Sequence, residues 1–291
     1  MSGIAKVVVV GAGTMGNGIA QVCAQNGLLV TMTDVSEAAT KKGLAAIDKS
    51  LERLVQKGKL EPDARARALD SIRTGTDPAA ASADADLVIE AVPEKMELKL
   101  ELFRAVSARA PAHAILGSNT SSLSVTEIAG ATSDPSRVIG LHFFNPVPVM
   151  ELLEIVRGLA TSDATADAAR AFAARIGKRS IVVKDSPGFA TSRLGVMLGC
   201  EAIRMLEAGV ASAEDIDLAM ELGYRHPMGP LRLTDLVGLD VRLAILEHLH
   251  REVGEQFRPP SLLRQMVRAG RLGKKVGRGF YDYPATPSPK A

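Results

Sequence analysis

The chain has 291 residues, enough for one large domain or two ordinary ones at roughly 100–200 residues each. Hydrophobic residues make up 46% and charged residues 23%, close to the globular average, which excludes wholesale disorder. A formal charge of only +2 sets up no field that would recruit nucleic acid, and seven Phe, three Tyr and no Trp offer no base-stacking surface. Cys23 and Cys200 are too few for a disulfide framework, so a reducing compartment is expected. No apolar run reaches the ~20 residues of a membrane span. No charged, apolar or Arg-rich leader precedes the first strand near Ile4. The expectation is a cytoplasmic chain with no membrane and no nucleic-acid partner.

In chain order, Lys6–Val10 is a β-branched run that ends in a glycine cluster, Gly11-Ala-Gly13-Thr-Met-Gly16. A helix from Asn17 to Gln25 and a second apolar run, Leu28–Thr33, follow. Strand, glycine turn, helix and strand within about 30 residues form a βαβ unit, which requires a parallel sheet and a right-handed crossover. Ser36 caps a long helix to about Lys57, with Leu44, Ile47, Leu51 and Val55 on one face. Lys42, Lys49, Arg53 and Lys57 lie on the other. Further strands are expected at Leu87–Val92, Ala114–Gly117, Val138–Phe143, Leu152–Val156 and Ser180–Val183. Helices are expected at Lys95–Arg109, Ser124–Ala129 and Ser162–Ile176.

From Pro187 the pattern is helical only: Ser192–Glu207, Ser212–Leu222, Pro230–Arg251 and Ser261–Arg268. Asp185-Ser-Pro-Gly188 stops the last strand and marks the boundary. The expected architecture is a Rossmann-type, mostly parallel α/β domain over 1–186 followed by an all-α domain over 187–291. The proline-rich tail Pro284–Ala291 is expected to fray.

In the glycine turn, Gly11 permits the tight bend, Gly13 lets backbone approach a pyrophosphate, and Gly16 lets the helix pack on the sheet. Thr14 and Met15 open the helix, whose free N–H groups and dipole favour an anion. Asp34 ends the second strand 18 residues past Gly16, where an acid accepts hydrogen bonds from a ribose 2′-hydroxyl and repels a 2′-phosphate. No Lys-Ser/Thr pair follows the glycines, which excludes a triphosphate loop. The cofactor expected is NAD.

Of the five histidines, His248 and His250 point to opposite faces of a helix and do not converge on a metal. His113 and His226 sit beside prolines in loops. No metal site is expected. His142 ends a buried strand, and in open parallel sheets ligands gather beyond the carboxyl ends of strands. Glu154 falls inside the apolar run Leu152-Leu-Glu-Ile-Val156, where a carboxylate is costly unless paired. An imidazole is a natural partner, although a structural His and a separately satisfied Glu would fit the same pattern.

Leu141-His-Phe-Phe-Asn-Pro-Val-Pro-Val-Met150, Ser118-Asn-Thr-Ser-Ser-Leu123, Asp185-Ser-Pro-Gly-Phe189, Pro227-Met-Gly-Pro230 and Gly277-Arg-Gly-Phe-Tyr281 together resemble the NAD-dependent 3-hydroxyacyl-CoA dehydrogenase family. Within it they are most similar to single-function bacterial 3-hydroxybutyryl-CoA dehydrogenases. The resemblance runs through nearly the whole chain in order. It implies interconversion of an L-3-hydroxyacyl-CoA and a 3-ketoacyl-CoA in a homodimer paired through the helical domain. It further implies that His142 is the base, Glu154 its orienting carboxylate, and Asn119 and Ser121 neighbours of substrate and nicotinamide. By the same resemblance Glu94 and Lys99 contact the cofactor, and Ser50 and Lys57 meet coenzyme A. Where the family has Asn shortly after Pro-Gly-Phe, this chain has Ser192, whose hydroxyl is shorter and cannot mimic an amide. Two other readings share the layout. Dehydrogenases of the 6-phosphogluconate type use a Lys-x-x-x-Asn helix, but Gly188–Cys200 contains no Lys. A non-catalytic relative, as in lens λ-crystallin, would be free to lose the base or carboxylate, and both are present here.

Overall fold

A computed structural model describes residues 3–284. The chain divides into two compact units, one ending at Ser186 and one beginning at Pro187. The first is an eight-stranded sheet in the order β3-β2-β1-β4-β5-β6-β7-β8. Its strands are β1 (Lys6–Val10), β2 (Leu29–Thr33), β3 (Ile72–Gly75), β4 (Leu87–Glu90), β5 (Ile115–Ser118), β6 (Val138–Phe143), β7 (Leu152–Arg157) and β8 (Arg179–Lys184). Neighbouring strands are parallel except β6 and β7, which run antiparallel. This is the mostly parallel sheet that the strand–helix alternation predicts. The connections carry α1 (Thr14–Gln25), α2 (Glu37–Gln56), α3 (Pro62–Asp70), α4 (Pro78–Ala81), α5 (Met96–Ser107), α6 (Val125–Gly130) and α7 (Asp163–Arg175).

Local chemistry sets the helix starts. Ser36, Ser124 and Ser162 each accept a hydrogen bond from the backbone N–H three residues on, closing an otherwise open first turn. The runs Val7–Val10 and Leu87–Glu90 are buried throughout, as expected of strands covered on both faces. On α2, Ile47 and Leu51 are fully buried while Lys42, Lys49, Arg53 and Lys57 are exposed, so the amphipathic stripe lies as its period requires.

The second unit holds α8 (Thr191–Glu207), α9 (Ala213–Gly223), α10 (Pro230–Val237), α11 (Leu239–Glu252) and α12 (Ser261–Arg268). Its core joins Val196, Cys200 and Ile203 of α8 to Leu246 and Leu249 of α11 and Leu263 of α12. Buried Asp235 accepts hydrogen bonds from the Phe280 and Tyr281 N–H groups and the Tyr283 hydroxyl, tying down the segment after α12. The single helix expected over Pro230–Arg251 is in fact two. Gly238 has φ +105°, outside any helix, and breaks it between α10 and α11. The sequence reading also passed over α3, β3 and α4. β3 is a four-residue edge strand, Ile-Arg-Thr-Gly, with only Ile72 buried, so it carries almost no apolar signal. Residues 285–291 of the tail expected to fray lie outside the described residues.

Candidate active site

The strand order reverses at β1, with β2 on one side and β4 on the other, and the crevice at that switch point is where such sheets bind a dinucleotide. The turn after β1 is packed too tightly for side chains. A Cβ on Gly16 would stand 1.7 Å from the Gly11 carbonyl oxygen, and one on Gly11 would stand 2.5 Å from that of Ala91. Gly13, the N-cap of α1, has nothing within 4 Å where a Cβ would be, and no side chain caps the helix. Backbone N–H groups at the exposed Thr14 and half-buried Met15 therefore present an open anion cradle. This donor set fits the pyrophosphate of NAD.

Asp34 follows β2. Its carboxylate accepts hydrogen bonds from Ala12 N–H and from Val35 N–H, both at 2.7 Å, which fixes a negative charge beside the glycine turn. A 2′-phosphate there would add about −1.5 to −2 charges next to a carboxylate. The expected result is a kcat/KM for NADH at least about tenfold above that for NADPH, measured under identical conditions. Equal values would remove Asp34 from cofactor selection.

At the carboxyl ends of β4, β5 and β6 the structure gathers most of the other residues singled out in the sequence. β6 and β7 pair with His142 directly opposite Glu154, which puts both side chains on one face. His142 Nδ1 lies 2.8 Å from Glu154 Oε2. The imidazole is 8% exposed and the carboxylate fully buried, so the pair interacts with little screening by water. The Phe144 ring stands 4.4 Å from the imidazole, centroid to centroid. Asn119 follows β5, and its side-chain carbonyl accepts a hydrogen bond from Phe143 N–H at 2.9 Å, next to His142 in the chain.

The loop after β5 is held by Glu94, whose carboxylate accepts from the Thr120 hydroxyl at 2.6 Å, Ser121 N–H at 3.0 Å and the Ser122 hydroxyl at 3.3 Å. Lys99 is 1% exposed; its ammonium donates to Glu90 at 2.6 Å and lies 3.1 Å from Glu94. Its charge is thus spent on two carboxylates. Glu90 and Ser118, joined by a 2.6 Å hydrogen bond, were given no role from the sequence, although Ser118 opens one of the motifs quoted above. The signal was present in Glu90, an acid closing a buried strand, which needs a partner for the same reason as Glu154. Ser50, half-buried, and Lys57, exposed, lie along α2 and at its C-cap. Ser192 lies in the second unit, in the first turn of α8.

Residues 6–186 match the family model of the NAD binding domain of 3-hydroxyacyl-CoA dehydrogenase, and residues 188–283 match that of its C-terminal domain. A probable 3-hydroxybutyryl-CoA dehydrogenase of Bacillus subtilis is 48% identical over 281 residues, covering 96% of this chain and 98% of its own. The 3-hydroxybutyryl-CoA dehydrogenase of Bradyrhizobium diazoefficiens is 47% identical over 281 residues, 96% of each chain. The crystal structure of (S)-3-hydroxybutyryl-CoA dehydrogenase from Ralstonia eutropha is similar with a TM-score of 0.93 at 48% identity, covering 96% of this chain and 99% of that one. With the glycine cradle, NAD as cofactor and matches spanning both units, this chain belongs to the 3-hydroxyacyl-CoA dehydrogenase family.

Proposed function

We propose that the chain interconverts a short-chain L-3-hydroxyacyl-CoA, 3-hydroxybutyryl-CoA, and its 3-ketoacyl-CoA, with His142 as base. The observation that carries this reading is the buried His142 Nδ1–Glu154 Oε2 pair at 2.8 Å. Glu154 holds the tautomer in which Nδ1 bears the proton, so Nε2 presents its lone pair. Nε2 takes the proton of the substrate 3-hydroxyl as C3 becomes a carbonyl, and Glu154 stabilises the imidazolium that forms. The Gly11–Gly16 turn and Asp34 would hold NAD, which would supply the hydride acceptor for C3. In the reverse direction the imidazolium returns its proton to the carbonyl oxygen. The short-chain assignment is supported by relatives at 47–48% identity that carry 3-hydroxybutyryl-CoA in their names. NADH oxidation assayed with 3-ketoacyl-CoA substrates of increasing length tests it: kcat/KM is expected to peak at acetoacetyl-CoA, and a peak at long chains would overturn it.

Coenzyme A carries several phosphates while the protein is nearly neutral, so its binding needs a local basic surface. The exposed Lys42, Lys49, Arg53 and Lys57 on α2 supply one. Lys57→Ala is expected to raise KM for acetoacetyl-CoA several-fold at low salt. It should leave kcat and KM for NADH alone, because such a contact is the same in ground and transition states, and the effect should shrink as salt rises. An unchanged KM would make the stripe a solvated helix face.

The functional form we propose is a homodimer paired through the helical domain, in the cytoplasm. Pairing is supported by large apolar side chains exposed on that unit, among them Leu194, Leu218, Leu222, Tyr224, Leu236 and Val241, a kind of surface that marks an interface. Sedimentation at twice the mass of one chain is the outcome expected. The two free, buried thiols suit a reducing compartment. Among the described residues no helix is long and apolar enough to cross a membrane.

A further inference from the structure

The mechanism leaves unused a buried charge cluster beneath the loop that follows β5. Glu90 and Lys99 are each 1% exposed, and the Glu94 side chain is 36% exposed. Glu90 accepts hydrogen bonds from Lys99 Nζ at 2.6 Å, the Ser118 hydroxyl at 2.6 Å and Val92 N–H at 2.8 Å. Lys99 Nζ also lies 3.1 Å from Glu94 Oε2. Burial opposes ionisation of Glu94, but the Lys99 ammonium, the Thr120 hydroxyl and Ser121 N–H outweigh it and hold its carboxyl below the usual value. Two carboxylates against one ammonium leave one surplus negative charge. Lys99 with Glu94 alone would form a neutral pair; Glu90 takes up the ammonium and leaves the charge of Glu94 uncancelled.

The place of this surplus matters. Asp34 at the end of β2 marks the adenosine half of the crevice, so the nicotinamide half lies on the side of β4 and β5. The nicotinamide ring is cationic in NAD+ and neutral in NADH. We propose that Glu90, acting through Lys99 and Glu94, maintains a net negative charge under the nicotinamide half-site, and thereby favours binding of NAD+ relative to NADH. Glu90 is a positioning residue in this scheme, since it reaches the cofactor only through its neighbours.

The test is titration of the full chain with NAD+ and with NADH, comparing the ratio Kd(NAD+)/Kd(NADH). Wild-type binding of either form reports separately on the cofactor assignment. Glu90→Gln removes the surplus charge and is expected to raise the ratio about three- to tenfold, the scale of one unit charge acting through a partly solvated site. Ser118→Ala removes a hydrogen bond on Glu90 without changing the charge, and should leave the ratio at its wild-type value. Should buried Glu90→Gln fail to fold, Glu94→Gln makes the same charge change at a more exposed position. Loss of a direct contact there would weaken both cofactor forms alike, whereas loss of charge moves the ratio. An unchanged ratio in the charge variants, or an equal rise in Ser118→Ala, would overturn the proposal.

Discussion

Replacing His142 by Gln is expected to lower kcat by roughly 10²–10⁴-fold, the usual worth of a positioned general base, with NADH binding close to wild type. Gln keeps a polar group of similar reach but cannot take a proton near neutral pH. The proton of the 3-hydroxyl must then leave to water, and the buried position of His142 gives water little access. The cofactor cradle at Gly11–Gly16 and Asp34 involves other strands, so Kd for NADH, read by fluorescence, should not move. A loss confined to KM, or a near-normal kcat, would mean that another group is the base.

Glu154→Gln is expected to lower kcat by about 10²–10⁴-fold for a different reason. The amide matches the carboxylate in size, so the fully buried site on β7 keeps its packing and the melting temperature should stay within a few degrees of wild type. What is lost is the charge that stabilises the imidazolium, together with control of the tautomer. An amide NH2 facing Nδ1 would turn the ring so that Nε2 carries the proton, and the base would be blocked. KM for NADH should be unaffected. A kcat within about threefold of wild type would remove Glu154 from the mechanism and leave it as a satisfied buried acid.

The contrast between these two positions and Glu90 shows what a one-dimensional pattern conveys. His142 was legible because it ends a buried strand, where ligands gather, and Glu154 because it breaks an apolar run, where a buried carboxylate demands a partner. Glu90 breaks the expected run Leu87–Val92 in the same way, and the structure ends β4 there. Its partners Lys99 and Ser118 lie on a helix and another strand, and no sequence spacing connects them. For Lys99 the pattern could not reveal burial, since a lysine in an amphipathic helix is ordinarily exposed. The structure turns its ammonium inward, onto two carboxylates.

By itself the sequence determined the class of fold, the two helical and sheet-bearing stretches, the cofactor and the family. The fold, the stretches and the cofactor depend on local rules: period-two and period-3.6 burial, serine caps, and glycines at a turn where only a hydrogen fits; the family rests on the resemblance of motifs along the chain. The tertiary structure alone decided the antiparallel register that sets His142 against Glu154, the break at Gly238, the edge strand β3, and the charge balance of Glu90, Lys99 and Glu94. Each of these depends on residues distant in the chain, or on backbone angles that the surrounding packing imposes. The physical reason is the same throughout. Local propensity fixes which element forms, whereas the partner of a buried charge is set by which elements become neighbours in the sheet.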